Sequence, residues 1–408
     1  LPPPSPLLEA YRGTYQSVSP MVAPMASLSD SDLSDFELSG SQVRDMKPSK
    51  SKHGHSSSKS EKSSSKSSSS KSKHRDSSPK RKHAILYDSS PDAAALFKAL
   101  SHSHASNIDT TTITRILPSL THDQMLDLRT EYKKIARVNG KGINLSKHLK
   151  LKLSGNYGKA AHVCALGRWE SEGYWANFFY QSHSSRRELL IEALMGRSNA
   201  EIRAIKDGFR DKRYADDLEK MVARELRADK FRTAVGWVLE ARRQEETEVL
   251  GEAMVRRDVS VLAQCLRTKE GGETAMLEVV VRRSDAHLRE VLKVFERETK
   301  LNFAREALKR SGNLVGEVLA HILNGVINRP ARDALLLKHA IQDIASHNKD
   351  EELRYELLIS RLIRFHWDRA HWERVKREYH LKNKRSVEVD IAEATKGDLR
   401  PFLVGLCQ

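Results

Sequence analysis

The side chains best able to do chemistry in this sequence are the cations between Arg44 and His83. This stretch holds 13 Lys and Arg residues against three acids, a net charge of +10 out of +16 for all 408 residues. Each Lys or Arg close to an anionic membrane surface contributes about 1 kcal/mol of attraction. The stretch therefore predicts binding to anionic phospholipid. The residues predicted to contact the lipid are Lys71, Lys73, Arg75, Lys80, Arg81 and Lys82.

Other interpretations of this basic stretch stay open. It can be a solvated linker, it can bind a protein partner, or Lys80-Arg81-Lys82 can act as a nuclear-import signal or nucleic-acid arm. Nucleic acid is the least favoured partner, because no Phe, Tyr or Trp interleaves the basic run to stack on bases. Ser31, Ser34 and Ser78 are predicted phosphorylation sites. Each phosphate would add about −2 charge and weaken the positive field.

No group of residues in the sequence predicts catalysis, so we predict a protein that is not an enzyme. There is no HExxH, GxxxxGK[ST], GxSxG or paired CxxC motif, and no nucleophile is identifiable with its base. His366 and His371 are five residues apart, a spacing that does not direct two ligands to one metal, so packing is the preferred interpretation. His102 and His104 lie at a polar loop start and could bind a transition metal only adventitiously.

Residues 1–84 form a Ser- and Lys-rich tail without sustained apolar periodicity. We predict that this tail is disordered, because its composition buries too little apolar surface to offset the ordering entropy. Cys164, Cys265 and Cys407 are scattered and odd in number, which indicates a reducing compartment. The sequence contains no run of 18 apolar residues, and residues 1–13 lack the basic region and the long apolar region of a signal peptide, so we expect neither a membrane-spanning helix nor a signal peptide here. We predict a cytoplasmic protein, peripheral on membranes, with a nuclear location as the alternative; because the first residue is Leu1, we expect the natural chain to begin further upstream.

An apolar triplet at i, i+3, i+7 occurs four times after residue 120, and its third member is always aromatic. The triplets are Met125/Leu128/Tyr132, Ile202/Ile205/Phe209, Leu288/Val291/Phe295 and Trp372/Val375/Tyr379, at intervals of 77, 86 and 84 residues. A short polar step follows each triplet and precedes a further helical pattern. The steps are Ser154-Gly155, Ala228-Asp229, Ser311-Gly312 and Lys396-Gly397. The order predicts an α-helical repeat protein, with a HEAT-like solenoid as the rival fold because its period of about 40 residues is half this spacing.

Residues 190–209 resemble the annexin repeat, in the pattern Leu-Ile-Glu-x-Leu-x-x-Arg-Ser-Asn-x-Glu-Ile-x-x-Ile-x-x-x-Phe. Asn328-Arg329-Pro330 resembles the start of a fourth annexin repeat, and Leu403-Val404-Gly405-Leu406-Cys407 resembles its last helix. The basic, low-complexity tail is similar to that of some filamentous-fungal annexins. The resemblance covers about 92–408 and implies an all-α fold of four repeats with about five short helices each, preceded by a disordered basic tail. The predicted domains are the tail at 1–84 and repeats 1 to 4 at 92–167 (diverged), 168–241, 250–325 and 329–408.

Calcium is the cofactor that this resemblance implies, although the sequence departs from the family's calcium pattern in every repeat. In annexins a Lys-Gly-x-Gly-Thr loop between the first two helices of a repeat supplies carbonyl ligands, and an acid about forty residues later completes the shell. The corresponding loops here lie at 105–108, 181–185, 269–273 and 342–346, and they lack the motif. The acid positions hold Lys152, Leu226, Lys309 and Ala394, and Glu225 is a displaced remnant of such an acid. We expect no tight annexin-type site and name no metal ligands.

The leading hypothesis is an annexin-like peripheral protein that binds phospholipid membranes. Calcium-dependent phospholipid binding is what the resemblance implies, and we expect its calcium dependence to be lost or weak here. The alternatives are an annexin-fold scaffold that has lost lipid binding and a nucleic-acid-associated protein that acts through the basic tail.

Overall fold

The structure is a computed structural model that describes residues 14–17, 87–101, 108–138, 140–178, 187–268, 271–345 and 351–408. The chain separates into two units, Leu1–Met25 with Asp88–Gln408, and Ala26–Tyr87. All described residues except Tyr87 belong to the first unit. Helices dominate these ranges, which confirms the predicted all-α class. Within them, no helix is both long enough and apolar enough to cross a membrane.

A single helical turn, α1 (Thr14–Ser17), precedes five helices in repeat 1. The five are α2 (Ser90–Leu100), α3 (Thr110–Ile116), α4 (His122–Ile135), α5 (Leu145–Lys152) and α6 (Gly155–Cys164). A 3-10 turn, Leu117–Ser119, continues α3. Two short antiparallel strands, β1 (Arg137–Val138) and β2 (Lys141–Gly142), form a hairpin in the connection between α4 and α5.

Repeats 2, 3 and 4 follow the same five-helix order. Repeat 2 contains α7 (Arg168–Phe178), α8 (Arg187–Leu194), α9 (Asn199–Gly208), a 3-10 turn at Lys212–Tyr214, α10 (Leu218–Glu225) and α11 (Lys230–Leu239). Repeat 3 contains α12 (Glu252–Arg267), α13 (Glu273–Arg282), α14 (Asp285–Thr299), α15 (Phe303–Arg310) and the first part of α16 (Leu314–Ala345). Repeat 4 contains the rest of α16, α17 (Glu351–His366), α18 (Arg369–Asn383), α19 (Val387–Ala394) and α20 (Leu399–Gly405). Five short helices per repeat agree with the annexin resemblance and not with a HEAT-like pairing of long helices.

Repeats 3 and 4 are joined through the kinked helix α16. Asn328 leaves the helical region, with φ −155° and ψ 95°, and Pro330 follows in the first turn of the second segment. Proline fits a first helical turn because its missing N–H has no partner to lose there. The Asn328 side chain accepts a hydrogen bond from the Ala331 backbone N–H at 2.9 Å and so caps this second segment.

The third helix of each repeat carries the apolar triplet into the core. Its terminal aromatic residues are at most 1% exposed. They are Tyr132, Phe209, Phe295 and Tyr379. Because each triplet occupies one face of an amphipathic helix, that face is buried against the other helices of its repeat. The repeating sequence pattern is therefore a repeating core.

The third helices also begin in a common way, with a side-chain cap. Thr121 with Gln124 and Ser198 with Glu201 form capping boxes, in which the side chains of both residues bond backbone N–H groups at the helix start. Ser284 and Asp368 cap the corresponding helices in repeats 3 and 4 by accepting backbone N–H bonds. Each cap satisfies an N–H group that has no partner within the helix.

The stretch predicted to be a disordered tail contains the helical turn α1, and Thr14 and Tyr15 of this turn are buried in the folded core. In α1, Thr14 is 1% exposed and Tyr15 is 7% exposed. The Tyr15 backbone N–H donates to Glu317 Oε2 at 3.1 Å, and the Tyr15 hydroxyl lies 3.0 Å from His321 Nδ1. One aromatic side chain with partners about 300 residues away leaves no periodic signal in the sequence, which is why composition did not reveal it.

Candidate functional site

The predicted phospholipid-contacting residues lie outside the described part of the chain. They are Lys71, Lys73, Arg75, Lys80, Arg81 and Lys82. The loops predicted at 105–108 in repeat 1 and 181–185 in repeat 2 also lie wholly or mostly outside the described residues. The loop predicted at 342–346 in repeat 4 was placed too early, because residues 342–345 form the last turn of α16. The largest described part of such a loop is in repeat 3. The position of the family's calcium-binding acid is described in all four repeats.

The start of the second helix meets the connection between the fourth and fifth helices in three repeats. In repeat 1, the Tyr157 hydroxyl of α6 donates to the Thr110 carbonyl at the start of α3, at 3.0 Å. In repeat 4, the Tyr355 hydroxyl of α17 donates to the Ala394 carbonyl at the end of α19, at 3.3 Å. In repeat 3 the contact involves Arg310 and Gly271. We call this side of each repeat its loop edge, since it is where the family's calcium site would form.

The loop edge of repeat 3 holds a cation of its own. Gly271 and Gly272 have φ of +82° and +80°, a region that glycine enters without steric cost. A Cβ on Gly272 would lie 3.1 Å from Cys265 Cα, so the loop also runs tightly against α12. The Arg310 guanidinium donates from Nη2 to the Gly271 carbonyl oxygen at 3.2 Å. A permanent positive charge is therefore bonded to a carbonyl of the glycine loop.

Glu273 directly follows this glycine loop and connects it to repeat 2. Its carboxylate accepts hydrogen bonds from Lys230 Nζ at 2.6 Å and from Asn313 Nδ2 at 3.0 Å. Burial acts to raise the pKa of Glu273, but the hydrogen bonds from Lys230 and Asn313 outweigh burial and lower its pKa. Because Lys230 begins α11, this carboxylate joins the loop edges of repeats 2 and 3.

The acid positions of the family pattern supply no cluster of carboxylates. Lys152 and Lys309 are cationic, and the Lys309 ammonium pairs with Glu306 at 2.8 Å. Glu225, the displaced remnant, accepts a hydrogen bond from the Tyr214 hydroxyl at 2.7 Å. Within the described ranges, no group of three or more His, Cys, Asp or Glu side chains is arranged to hold a metal ion. The acids near these positions, Glu306 and Glu225, are thus engaged by protein side chains.

The histidines singled out in repeat 4 have protein partners. His366 Nε2 lies 3.1 Å from the Leu120 carbonyl oxygen, and His371 Nε2 lies 2.7 Å from Asp333 Oδ2. Both histidines are buried. The packing interpretation is therefore the one that the geometry supports. The three cysteines are free thiols and buried.

A buried group of ion pairs between repeats 2 and 4 was missed by the sequence analysis. Arg361 Nη2 lies 2.5 Å from Glu192 Oε1, Arg364 bonds both Glu192 at 3.1 Å and Glu172 at 2.8 Å, and Arg197 bonds Glu172 at 2.6 Å. All five side chains are at most 10% exposed. We call them the central network. Its sequence signal is a set of charged residues inside apolar runs, as in Leu-Leu-Ile-Glu-Ala-Leu.

The ion pairs of the central network favour the charged forms of Glu192 and Arg364. Burial acts to raise the pKa of Glu192, but the guanidinium groups of Arg361 and Arg364 together outweigh burial and lower that pKa. Burial likewise acts to lower the pKa of Arg364, but the carboxylates of Glu172 and Glu192 together outweigh burial and raise that pKa. Thr14 of α1 reaches this network, since its hydroxyl oxygen accepts a hydrogen bond from Arg361 Nη2 at 3.3 Å. The network therefore joins two repeats and the N-terminal turn through paired charges.

Known proteins resemble this chain over most of its length, although no protein-family model matches it. Annexin C1 of Cryptococcus neoformans var. grubii serotype A is 26% identical over 326 residues, which cover 79% of this chain and 66% of that protein. Annexin A11 of Oryctolagus cuniculus is also 26% identical over 326 residues, covering 79% of this chain and 60% of that protein. The match thus spans less than two thirds of either relative.

Solved structures show the same fold. Annexin III superposes with a TM-score of 0.67 at 20% identity, over 79% of this chain and 94% of that chain. A calcium-bound annexin (Sm)1 superposes with a TM-score of 0.62 at 16% identity, over 78% of this chain and 90% of that chain. Four five-helix repeats, capped third helices with buried aromatic ends and relatives of one kind along the same length have one common explanation: the chain belongs to the annexin family.

Proposed function

We propose that this protein binds anionic phospholipid surfaces as a peripheral, non-enzymatic protein, and that its repeat 3 does so without a calcium bridge. Membership of the annexin family supports the first part, because phospholipid binding is the activity of that family. One observation carries the second part, which is the hydrogen bond from Arg310 to the Gly271 carbonyl at the loop edge of repeat 3.

The physical reason lies in what calcium requires. Calcium takes six to eight oxygen ligands, and a loop of glycines serves it by turning several carbonyls toward one point. In repeat 3 the Gly271 carbonyl already accepts from a guanidinium, and Glu273 is engaged by Lys230 and Asn313. Lys309, at the acid position, adds a second positive charge that repels a divalent cation. Lipid phosphate is attracted by the same charges.

The basic tail supplies a second, longer-range attraction in this proposal. Its net charge of +10 between residues 44 and 83 would hold the protein near an anionic surface through Lys71, Lys73, Arg75, Lys80, Arg81 and Lys82. This attraction is screened over about 8 Å at physiological salt. Binding through the tail would therefore fall with added salt and with phosphorylation of nearby serines such as Ser78.

Co-sedimentation with phosphatidylserine vesicles, with calcium and with a chelator, tests the proposal. We expect binding that is similar in both conditions, absent on phosphatidylcholine vesicles, and weakened by salt and by removal of residues 44–83. Binding that disappears with the chelator would contradict the calcium-free mechanism. Failure to bind phosphatidylserine in any condition would contradict the function itself and favour the scaffold alternative.

A designed variant tests the role of the repeat 3 cations. Lys309→Asp combined with Arg310→Ala restores an acid at the family's position and releases the Gly271 carbonyl. We expect this variant to bind calcium measurably in calorimetry and to bind vesicles more strongly when calcium is added. The control is Lys293→Asp combined with Arg297→Ala on α14, which changes charge equally and should leave calcium binding unaltered. Equal calcium responses of the two variants would contradict the proposed role of Arg310.

A further inference from the structure

The last turn of α5 in repeat 1 exposes an apolar side chain among cations. Leu151 is 65% exposed, Lys147 and Lys150 are exposed, and Lys152 is half-buried. Lys147, Lys150 and Leu151 stand at i, i+3 and i+4, so they share one face of the helix. We call Lys147, Lys150, Leu151 and Lys152 the lysine–leucine edge.

The opposite face of α5 explains why these residues point outward. Leu145 and Leu149 are fully buried, and His148 is 4% exposed with its Nδ1 only 2.7 Å from the Tyr132 hydroxyl. These contacts hold the helix in one orientation. Leu151 cannot turn inward without removing Leu145 and Leu149 from the core. Its exposure is therefore set by the packing of the whole helix.

The other three repeats differ at the position of Leu151. Leu151 lies four residues before Gly155, the second residue of the polar step in repeat 1. The equivalent positions in repeats 2, 3 and 4 hold Glu225, Leu308 and Glu393. Glu225 is bonded by Tyr214, and Glu393 pairs with Arg385. Leu308 is partly buried in a cluster that includes Ala320. Among the described parts of the four repeats, repeat 1 alone combines an exposed leucine with cations on both sides in this turn.

The lysine–leucine edge belongs to the loop edge of repeats 1 and 4. Tyr157, just after the step that follows α5, bonds the Thr110 carbonyl and packs edge-on against Phe402 of α20, with ring centroids 5.8 Å apart. The carboxylates that act on Tyr157 are Asp398, which is exposed, and Asp109, which is used by Thr112 in the cap of α3. The three lysines of the edge therefore outnumber the two carboxylates that act on Tyr157.

We propose that the lysine–leucine edge is a direct membrane-insertion site: Leu151 enters the boundary between headgroups and acyl chains of an anionic phospholipid surface, while Lys147, Lys150 and Lys152 contact lipid phosphates. This inference rests on the proposed function and names the residues through which the folded core performs it. Lys152 occupies the position of the family's calcium-binding acid. An ammonium there meets phosphate directly, in place of an ion bridged between carboxylate and phosphate.

The chemistry of the edge favours a lipid surface over other anionic partners. Phosphate groups complement the three lysines, but a polyanion such as nucleic acid has no apolar layer to receive Leu151. An exposed leucine is stabilised only when an apolar phase covers it. Long lysine side chains can extend from this depth back to the headgroups.

Vesicle binding by the full chain tests the site with a matched pair of variants. Leu151→Ala should weaken partitioning to phosphatidylserine vesicles about tenfold, from the lost apolar contact. Lys150→Gln should weaken it about fivefold at low salt and much less at high salt. The control is Leu381→Ala, because Leu381 is 62% exposed, precedes Lys382, and lies at the end of α18 that leads into the start of α19. Leu381 thus lies close to the start of α19, the end of that fourth helix opposite to the Lys396-Gly397 step, and we expect its variant to bind as the unaltered protein does.

A fluorescent label gives a second readout of insertion. Cys164, Cys265 and Cys407 are buried, so a polarity-sensitive thiol dye should label Leu151→Cys or Leu381→Cys selectively. We expect a blue shift on vesicle binding for the label at 151 and none for the label at 381. If the unaltered protein binds but Leu151→Ala and Leu381→Ala bind equally, or the two labels respond alike, the insertion site is wrong and the proposed function stands. If the unaltered protein does not bind phosphatidylserine vesicles at all, both fail.

Discussion

The central network and the lysine–leucine edge are both rich in charge, yet they meet opposite physical conditions. In the network, Glu192 and Arg361 are 3% and 0% exposed, and each opposes a partner of the other sign. At the edge, Lys147 and Lys150 face solvent beside an exposed leucine. A buried charge without a partner costs several kcal/mol, whereas an exposed lysine costs almost nothing.

This difference separates charges that hold the fold from charges that are available to a partner. The network charges are used within the protein, between repeats 2 and 4, and leave little attraction for a ligand. The exposed charges of Lys147 and Lys150 contribute little to the fold and keep their field for an anionic surface. Removing a charge from each place should therefore change different properties, and the following experiments are ordered from the largest expected effect on stability to the smallest.

The first experiment compares Arg361→Met with Lys150→Met. Arg361→Met removes the bidentate partner of buried Glu192 and should lower the free energy of unfolding by about 3 to 5 kcal/mol. Lys150→Met should change it by less than about 0.5 kcal/mol, since an exposed side chain away from special contacts is nearly neutral. Urea denaturation measures both. Similar losses in the two variants would remove the distinction between network and edge.

The second experiment lowers the pH. Burial acts to raise the pKa of Glu201, but Arg197 and Arg329 outweigh burial and lower its pKa to about 2. Because the folded pKa lies below the unfolded value, the stabilisation is complete above about pH 4.5 and is lost as the pH falls toward 2. The loss should approach about 3 kcal/mol for this carboxyl.

The matched control for the acid experiment is Glu252, which is 79% exposed and pairs with Arg256 on the same helix. Glu201→Gln should make the free energy of unfolding fall less steeply between pH 4.5 and 2, and Glu252→Gln should leave the slope as it is. Acid titrations followed by circular dichroism at fixed urea measure the slopes. A Glu201→Gln variant with an unchanged slope would show that this carboxyl is not held charged by Arg197.

The third experiment concerns the N-terminal turn α1, which contacts the central network through the hydrogen bond from Arg361 to Thr14. Tyr15→Ala should lower the free energy of unfolding by about 1 to 3 kcal/mol, because it empties a buried aromatic site at the end of the chain. Tyr15→Phe removes only the hydrogen bond to His321 and should cost about 1 kcal/mol. Deletion of residues 44–83 should leave stability unchanged while weakening vesicle binding. No effect of Tyr15→Ala would show that α1 does not stay docked.

Much of the fold could be predicted because its signals are short in sequence. The Thr121–Gln124 capping box lies within four residues, and the Tyr132 triplet spans eight. Both arise from the 3.6-residue period and from backbone N–H groups at a helix start, so neighbouring residue types decide them. The annexin resemblance rests on the same local patterns repeated four times.

The site could be predicted only in outline. Lys152 and Lys309 are visible in the sequence as cations at the family's acid positions. The bond from Arg310 to Gly271 joins residues 39 apart, and nothing local indicates that this arginine turns toward the glycine loop. The exposure of Leu151 is equally invisible, because a leucine in the pattern Lys-Leu-Lys can face either the core or solvent until the packing of α5 is known.

By itself, the sequence determined which segments form helices, where the third helix of a repeat begins, and which repeated aromatic side chains enter the core. These features follow from interactions within one or two helical turns. The tertiary structure decided which charges are paired and which remain at the surface. Glu192 meets Arg361 across 169 residues, and Tyr15 meets His321 across 306. Such pairs depend on how the repeats close on one another. A charge costs or contributes energy according to the partner and the solvent around it, and both are set by chain segments far away in sequence.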